Sequence, residues 1–179
     1  MLTGNKIILR EFRESDIEKM HSWVNDQEIT KYLAFAVFPR TLNDTKKFLD
    51  DQINRKSSSY VNFVICDISD TKQEYIGSVG LKNIDFINRK AELAIAIGVK
   101  EYFSKGFGSE AAKLIVDYAF NKLNLNKVYL HFVCFNDRGK KSFEKAGFKF
   151  VAYLKDDIFY DGNYYDQGYM EILKNKPLS

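Results

Sequence analysis

A short glycine-punctuated loop is the segment of this sequence best suited to bind an anion. Gly106 and Gly108 lie in the loop 103–108, between an apolar run at 93–97 and a helical pattern that begins near Ser109. Glycine lets the backbone approach a ligand closely, and the free N–H groups and positive dipole at a helix N-terminus attract phosphate. The spacing fits neither a Walker loop nor the three-glycine dinucleotide fingerprint. It predicts a phosphate site of another kind, although a plain strand-to-helix turn explains two glycines equally well.

The elements that flank this loop follow from periodicity. The run 93–97 is continuously apolar, which is typical of a strand buried on both faces. Beyond the loop, apolar residues recur at helical spacing and predict an amphipathic helix. They are Ala111, Leu114, Ile115 and Tyr118.

Composition bounds the class of protein. A chain of 179 residues with 45% hydrophobic content is enough for one compact domain, which we expect to span 1–179. The net charge of +3 is too small to indicate nucleic-acid binding, which usually shows as a concentrated basic patch. Cys66 and Cys134 each lie in an apolar, strand-like run, and we expect reduced core thiols there.

Targeting signals are absent from the sequence pattern. Residues 1–5 contain no apolar segment of the kind found in a secretory leader. No apolar run has the length of a membrane span. We therefore expect a cytoplasmic protein without a membrane or nucleic-acid partner.

The order of elements predicts an α+β fold with a mixed, mostly antiparallel sheet flanked by helices. Helices are expected from Ser15, with Glu18 completing a capping box, then after Asp26, and from Thr41 with Asp44 to about Arg55. Two more are expected at 109–123 and 136–146, the second ending at Gly147. Strands are expected at 6–11, 60–66, 75–81, 91–97, 127–134, 148–154 and 164–173. The turn 160–163 predicts a terminal hairpin.

Three segments also resemble, in order and spacing, the motifs of the GNAT superfamily of N-acyltransferases. AELAIAIGVKEYFSKGFGSEAA is similar to its acyl-CoA-binding strand and loop, Gln/Arg-x-x-Gly-x-Gly/Ala, with Gly106 and Gly108 as the glycines. NDRGKKSFEKAGF resembles the next motif, an asparagine followed by a helix and Gly-Phe. The third segment, YDGNYYDQGYMEIL, resembles the closing hairpin of the RimJ/RimL-type branch. In addition, the opening IILREFRESDIEKMHSWVNDQEITKYL is similar to the start of that branch. The resemblance covers essentially the whole chain.

Two positions depart from the family's pattern. Phe103 stands where the family has Gln or Arg, so a side-chain contribution to the loop is lost there. Phe143 stands where many members have a tyrosine that protonates the departing CoA thiolate, and phenylalanine has no proton to donate. Either another group or water reprotonates the thiolate, or the protein is slow or does not catalyse.

The resemblance implies acetyl-CoA as co-substrate, no metal, and direct attack of an amine on the thioester. In that scheme the backbone of Ala96, Ile97 and Gly98 pairs with pantetheine as an extra strand, and loop amides hold the pyrophosphate. Asn136 lies near the CoA sulfur, besides serving as an N-cap. Of the basic residues Arg138, Lys140 and Lys141, we assign Lys140 to the cofactor site, with a solvated face as the alternative. The implied cofactor residues are Ala96, Ile97, Gly98, Phe103, Ser104, Lys105, Gly106, Phe107, Gly108, Ser109, Asn136 and Lys140.

An ammonium must lose a proton before it attacks, so the scheme needs a base. The implied catalytic residues are Glu92, as that base, and Asn136; an ordinary strand-edge carboxylate explains Glu92 equally well. Asp166 in the terminal hairpin is a second candidate, with holding the acceptor as its alternative role. His131 in mid-strand is expected to be packed rather than a base, and Cys134 a core residue rather than an acyl carrier.

The acceptor is open at this point. The branch resemblance indicates a protein N-terminus, and a polyamine, amino sugar or aminoglycoside competes with it. Tyr164 and Tyr165 are candidates for the acceptor entrance, and a homodimer is an open expectation. Acidic residues that could attract a cationic amine are Glu14, Asp26, Glu28, Asp44, Asp50 and Asp51. The rival functions are a non-catalytic acyl-CoA-binding protein and a nucleotide-binding module.

Overall fold

The fold is built on a twisted sheet whose strands follow the chain order over most of its width. The computed structural model describes residues 1–33, 38–54 and 57–174. Within these residues eight strands lie side by side in the order β1-β2-β3-β4-β5-β6-β8-β7. They are β1 (Leu2–Thr3), β2 (Ile7–Arg10), β3 (Val61–Asp67), β4 (Gly77–Asp85), β5 (Lys90–Ile97), β6 (Lys127–Val133), β7 (Lys149–Tyr160) and β8 (Asn163–Leu173).

Helices cover both faces of this sheet. They are α1 (Ile17–Val24), α2 (Gln27–Thr30), α3 (Leu42–Asn54), α4 (Phe107–Asn121) and α5 (Asp137–Lys145). On one face, α4 buries Ala111 and Ile115 completely against the strands, as its apolar stripe predicts. On the other face, Met20, Trp23 and Leu49 from α1 and α3 form a second cluster. The α+β prediction, with a mostly antiparallel sheet, is confirmed.

One junction in the sheet is parallel, and it creates the opening on which the site depends. β5 and β6 pair only through Lys90–Lys127, Ala91–Val128 and Glu92–Tyr129. Beyond Glu92, β5 stays paired with β4 as far as Ile97, while β6 stays paired with β8 as far as Val133. The two strands therefore diverge, and the space between them forms a V whose closed end is at Glu92.

This divergence corrects the prediction that 93–97 is buried on both faces. Ala94 is exposed, and Ile95 and Ile97 are only partly buried, because no strand covers the β6 side beyond Glu92. Within this run only Leu93 is buried as predicted, since it lies under α4 and is 4% exposed.

Helix caps explain where most helices begin. Asp26 accepts the N–H of Glu28, and Thr41 and Asp44 bond reciprocally as a capping box, as expected. The Ser15–Glu18 box is wrong: Ser15 lies inside a 3₁₀ turn, and Asp16 accepts the N–H of Arg13 instead. The expected end of α3 at Arg55 lies outside the described residues.

The terminal hairpin is confirmed and longer than expected. β7 begins at Lys149 and continues to Tyr160, where it pairs with Asn163 across a two-residue turn. Asp161 and Gly162 both have positive φ, 48° and 79°, which matches a type I′ hairpin turn.

Candidate active site

A cleft of about 450 Å³ occupies the opening between β5 and β6. Its walls are the exposed edge of β5, the 103–109 loop with the start of α4, and one face of α5, with Tyr32 and Leu33 closing it after α2. Three chemically different surfaces thus meet here: an unpaired strand edge, a helix N-terminus and a charged helix face.

The strand edge offers backbone groups to a ligand. The N–H of Gly98 donates to the carbonyl of Ile76 at 2.8 Å, on the β4 side of the strand. Because backbone groups alternate sides along a strand, the N–H groups of Ile95 and Ile97 face the opening. This corrects the expectation that Ala96, Ile97 and Gly98 pair with pantetheine, because the N–H groups available for pairing are those of Ile95 and Ile97. Ala96 lines the cleft, but its N–H faces β4.

The loop presents an uncapped helix N-terminus. Gly106 is the N-cap of α4 at φ 90°, a left-handed conformation that suits glycine, and it provides no side-chain cap. The amide of Glu110 donates to the carbonyl of Gly106, so the N–H groups of Phe107, Gly108 and Ser109 precede the first intrahelical bond. These donors and the positive end of the helix dipole can bind an anion in the cleft.

The face of α5 adds positive charge opposite that loop. Asn136 is the N-cap of α5 and accepts the N–H of Gly139 at 2.9 Å, which confirms its capping role. Residues spaced i, i+3, i+4 and i+7 along the helix all line the cleft. They are Arg138, Lys141, Ser142 and Lys145. Three cations on one helix face are matched to a ligand that carries several phosphate charges.

Aromatic side chains close the cleft from two sides. Phe103 and Phe143 both line it, and the Phe143 ring packs against Phe132 and Phe148 at centroid distances of 6.5 and 6.3 Å. The Phe143 ring thus forms an apolar wall and has no proton to donate.

The structure brings together most, but not all, of the expected cofactor residues. Lining the cleft are Ala96, Ile97, Phe103, Ser104, Gly106, Phe107, Gly108, Ser109 and Asn136. Lys140 instead places Nζ over the Phe150 ring on β7, at 5.6 Å, because it projects from another side of α5. Lys105 places Nζ over the Tyr102 ring, at 5.7 Å, and Gly98 faces β4.

Glu92 lies at the closed end of the V and is 13% exposed. Its Oε1 is 3.0 Å from Nζ of Lys82 and 3.3 Å from Nδ1 of His131. Its Oε2 accepts from the amide of Asn83 at 3.0 Å. The Glu92 carboxylate is thus ion-paired and hydrogen-bonded, with His131 as its partner on β6.

The hairpin candidates are arranged differently from the expectation. Oδ1 of Asp166 accepts the N–H of Asp156 at 3.0 Å, so the carboxylate ties β7 to β8. Tyr165 packs on Phe135 at 4.8 Å, and Phe135 packs in turn on Tyr32 of the cleft. Tyr164 is 66% exposed.

Three of the six acidic residues that were expected to attract a cationic amine are engaged with other groups of the protein. Lys100 pairs with both Asp26 and Glu28, and its hydrogen bond lowers the pKa of Asp26. Asp44 is committed to its cap with Thr41, which also lowers its pKa.

Both cysteines are free thiols. Burial raises the pKa of Cys66 to about 11. Burial, with the nearby Asp166 carboxylate, also raises the pKa of Cys134. Since the thiolate is the nucleophilic form, neither cysteine is prepared to carry an acyl group.

Sequence reasoning missed part of the cleft wall. Lys145, Ser142 and Ile95 were not assigned, although Arg138, Lys141, Ser142 and Lys145 follow the i, i+3, i+4, i+7 rule that the sequence displays. The contribution of Tyr32 carries no local signal, because it depends on how α2 packs beside the sheet.

In the described part of the chain, no group of three or more His, Cys, Asp or Glu side chains is arranged to hold a metal ion. Across residues 1–33, 38–54 and 57–174, no helix combines the length and apolarity needed to cross a bilayer.

Comparison with known proteins assigns this architecture. Residues 6–149 match the family described as acetyltransferase (GNAT) domain. The chain is 30% identical over 179 residues to a spermidine N(1)-acetyltransferase of Vibrio cholerae, covering 98% of each protein. It is 26% identical over 172 residues to a putative ribosomal N-acetyltransferase of Bacillus subtilis, covering 95% of this chain and 92% of that one.

A solved structure extends the likeness to three dimensions. The spermidine N-acetyltransferase of Vibrio cholerae, in complex with CoA and spermine, superposes with a TM-score of 0.82 at 29% identity. The match covers 95% of this chain and 96% of that chain.

Proposed function

The chain belongs to the GNAT acetyltransferase family and is an acetyl-CoA-dependent N-acetyltransferase, and we propose that its acceptor is a primary amino group of a polyamine. The observation that carries the proposal is the full-length likeness to spermidine N-acetyltransferases, in sequence and in fold. The sequence left the acceptor open between a protein N-terminus and a small amine, and these likenesses support the small amine.

The cleft fits the chemistry of acetyl-CoA. The cations of α5 and the uncapped start of α4 suit its phosphates. The apolar side chains of Ile95, Ile97 and Phe143 suit the pantetheine arm, whose amides can bond the unpaired edge of β5. We propose that the N–H groups of Ile95 and Ile97, the loop 103–109 and Asn136 hold the co-substrate.

The substrate supplies an activated acetyl group, and the protein supplies position and proton transfer. Pairing along β5 directs the pantetheine towards the closed end of the V, where Glu92 lies. A backbone N–H aimed at the thioester oxygen would stabilise the negative charge that develops there. Holding both reactants together replaces a bimolecular encounter by an oriented one.

A second acceptor deserves a direct comparison because one relative is named a putative ribosomal N-acetyltransferase. Thiol release from acetyl-CoA should therefore be measured with spermidine, spermine, an aminoglycoside and a peptide with a free N-terminus. We expect kcat/KM for the best polyamine to exceed that for the peptide by ~100-fold, about 2.7 kcal/mol. A peptide that is acetylated faster than every polyamine would overturn the acceptor assignment.

A homodimer is a separate proposal, and β7 is the surface that supports it. This strand is the last of the described sheet and is 12 residues long. It exposes Val151, Tyr153 and Phe159, at 51%, 55% and 60%. Long apolar edge strands tend to pair with another chain. Light scattering on the purified protein tests it: a monomeric mass at assay concentrations would refute it.

The cytoplasm is also proposed as its compartment. The two cysteines are unpaired thiols, which persist in reducing compartments. Fractionation of cells that express the tagged chain tests this proposal, and recovery of the chain outside the cytoplasm would refute it.

A further inference from the structure

We propose that His131 is the general base of acetyl transfer and that Glu92 orients the imidazole rather than accepting the proton itself. The inference rests on the N-acetyl transfer described under the proposed function, but on no particular amine. It also revises the expectation that His131 is merely packed.

The register of the sheet places the two side chains on one face. Glu92 of β5 is aligned with Tyr129 of β6, and His131 follows two residues later, on the same face as Tyr129. Since β5 and β6 separate after Glu92, His131 is the first side chain of that face to stand beyond the closed end of the V. It is 29% exposed, so a small molecule can reach it.

Contacts on both oxygens hold the side chain of Glu92 in place. Oε1 contacts Lys82 at 3.0 Å and His131 at 3.3 Å, and Oε2 accepts from the amide of Asn83 at 3.0 Å. With both oxygens engaged and only 13% of the side chain exposed, Glu92 is placed to orient its partner, whereas His131 is the more accessible of the two groups.

The same contact determines the tautomer of His131. A carboxylate oxygen only accepts hydrogen bonds, so Nδ1 of His131, 3.3 Å from Oε1, carries the hydrogen. In the neutral ring, Nε2 then holds the lone pair and can take a proton. The arrangement has the logic of a histidine base oriented by a carboxylate.

Aromatic rings restrain the imidazole in this position. Tyr129 and Tyr169 make edge-on contacts with it at centroid distances of 5.8 and 5.3 Å. Burial raises the pKa of both tyrosines, so their hydroxyl groups stay neutral. The charged groups that the register places on this face of the neighbouring strands include Lys82, Lys90, Glu92, Lys149 and the Lys127–Glu171 ion pair.

The strand beside this pair carries a small and exposed residue. Ala94 lies two residues beyond Glu92 on the same face of β5, and it is exposed. Together with the 29% exposure of the His131 side chain, this leaves that part of the face open to a small amine.

The proposed reaction begins with proton transfer from the substrate ammonium. Nε2 of His131 takes one proton from it, and the imidazolium formed is stabilised by the Glu92 carboxylate. The neutral amine attacks the acetyl carbon, so a C–N bond forms and the C–S bond breaks. The attacking nitrogen then releases its second proton to water, which leaves the neutral amide, and the leaving thiolate takes up one proton from water. The imidazolium returns its own proton to solvent through its exposed side.

The test compares His131→Gln with His21→Gln, the change at the chain's other histidine. His21 lies on α1 and contacts Thr45 Oγ1, so its loss should leave catalysis unchanged. For H131Q we expect kcat at pH 7.5 to fall ~100-fold, with KM for acetyl-CoA unchanged. Above pH 7.5, the difference in kcat between wild type and H131Q should shrink ~10-fold per pH unit, because an increasing fraction of the amine is already neutral.

Two further variants separate the roles of the pair. Glu92→Gln keeps an oxygen that can accept from Nδ1, so we expect a loss of ~10-fold, smaller than that of H131Q, with the acidic limb of the pH profile retained. His131→Ala should regain activity when imidazole is added, which a purely structural histidine would not show. Thermal unfolding checks that each variant is folded.

Specific outcomes would overturn the assignment. A loss of kcat in Glu92→Gln that exceeds the loss in H131Q would make Glu92 the base. An H131Q enzyme with the wild-type pH profile would exclude His131 as the base. The comparison uses whichever amine the wild-type enzyme acetylates fastest. If the enzyme does not acetylate polyamines, only the acceptor proposal is refuted. The pH profiles of the variants, measured with another amine, still test the role of His131.

Discussion

The guanidinium of Arg138 stacks on the ring of Phe103, with 3.9 Å between its Cζ atom and the ring centroid. This contact joins the start of α5 to the glycine loop at the cleft mouth, because both residues line the cleft. Stacking keeps the planar guanidinium oriented while its donors remain available to phosphate. The positive charge that Phe103 cannot supply to the loop thus comes from the neighbouring helix.

Removal of Arg138 should therefore weaken acetyl-CoA binding. We expect Arg138→Gln to raise KM for acetyl-CoA by ~10-fold, about 1.4 kcal/mol, with little change in kcat. Phe103→Ala should produce a smaller increase, since it releases the guanidinium without deleting it. Lys140→Gln is the matched control, because Lys140 lies over Phe150 and not in the cleft. Equal effects of the Arg138 and Lys140 changes would contradict this role.

Replacement of Gly106 separates backbone strain from ligand binding. Because Gly106 has a φ of 90°, its replacement by alanine should lower the free energy of unfolding by ~1–3 kcal/mol through backbone strain. A steric clash does not contribute, since the new Cβ would meet nothing closer than 3.9 Å. Gly162→Ala carries a similar strain at φ 79° in the distant hairpin turn. Both variants should lose several degrees of Tm, but only Gly106→Ala should also raise KM for acetyl-CoA. The same KM in the two variants would exclude the loop as the phosphate site.

Phe143 offers no proton to the leaving thiolate. Because its ring lines the cleft, the hydroxyl of Phe143→Tyr would reach the ligand side. A positioned general acid contributes roughly 10²–10⁴-fold where proton transfer limits the rate; we expect kcat to rise by ~10-fold. Phe150→Tyr, on exposed β7, controls for an added phenol. An unchanged kcat in the first variant would show that thiolate protonation does not limit turnover.

Cysteine chemistry should be dispensable. With a pKa of about 11, Cys66 is ionised in roughly one molecule in a thousand at pH 8, and the fraction rises as pH increases towards that value. The raised pKa of Cys134 likewise depletes its thiolate at neutral pH. Cys134→Ser should keep wild-type kcat, as direct attack requires. A stable acetyl adduct on Cys134 in the mass spectrum of the intact protein would contradict direct transfer.

Local signals predicted the elements well, because caps and periodicity act within a few residues. Asp26, the Thr41–Asp44 pair and Asn136 each begin a helix as their side chains predict. Ser15 failed because it lies inside a 3₁₀ turn, in which Asp16 accepts the N–H of Arg13 and also pairs with the buried Arg10. The ion pair with Arg10 is a tertiary contact, which the local pattern does not reveal.

The site itself was only partly predictable. The glycine loop and Asn136 are contiguous motifs, and both line the cleft. The Glu92–His131 contact joins residues 39 apart in the chain, so it depends on the register of β5 against β6. The divergence after Glu92 is likewise a property of the sheet, and it determines which of the backbone groups of β5 face a ligand.

The most direct test of the proposed function is the product formed from acetyl-CoA and spermidine by the purified protein. Mass spectrometry of the amine, with thiol release followed in parallel, identifies both products of one turnover. The account predicts singly acetylated spermidine and one equivalent of free CoA thiol, with far slower acetylation of an N-terminal peptide. Unmodified spermidine, together with acetylated peptide, would contradict it.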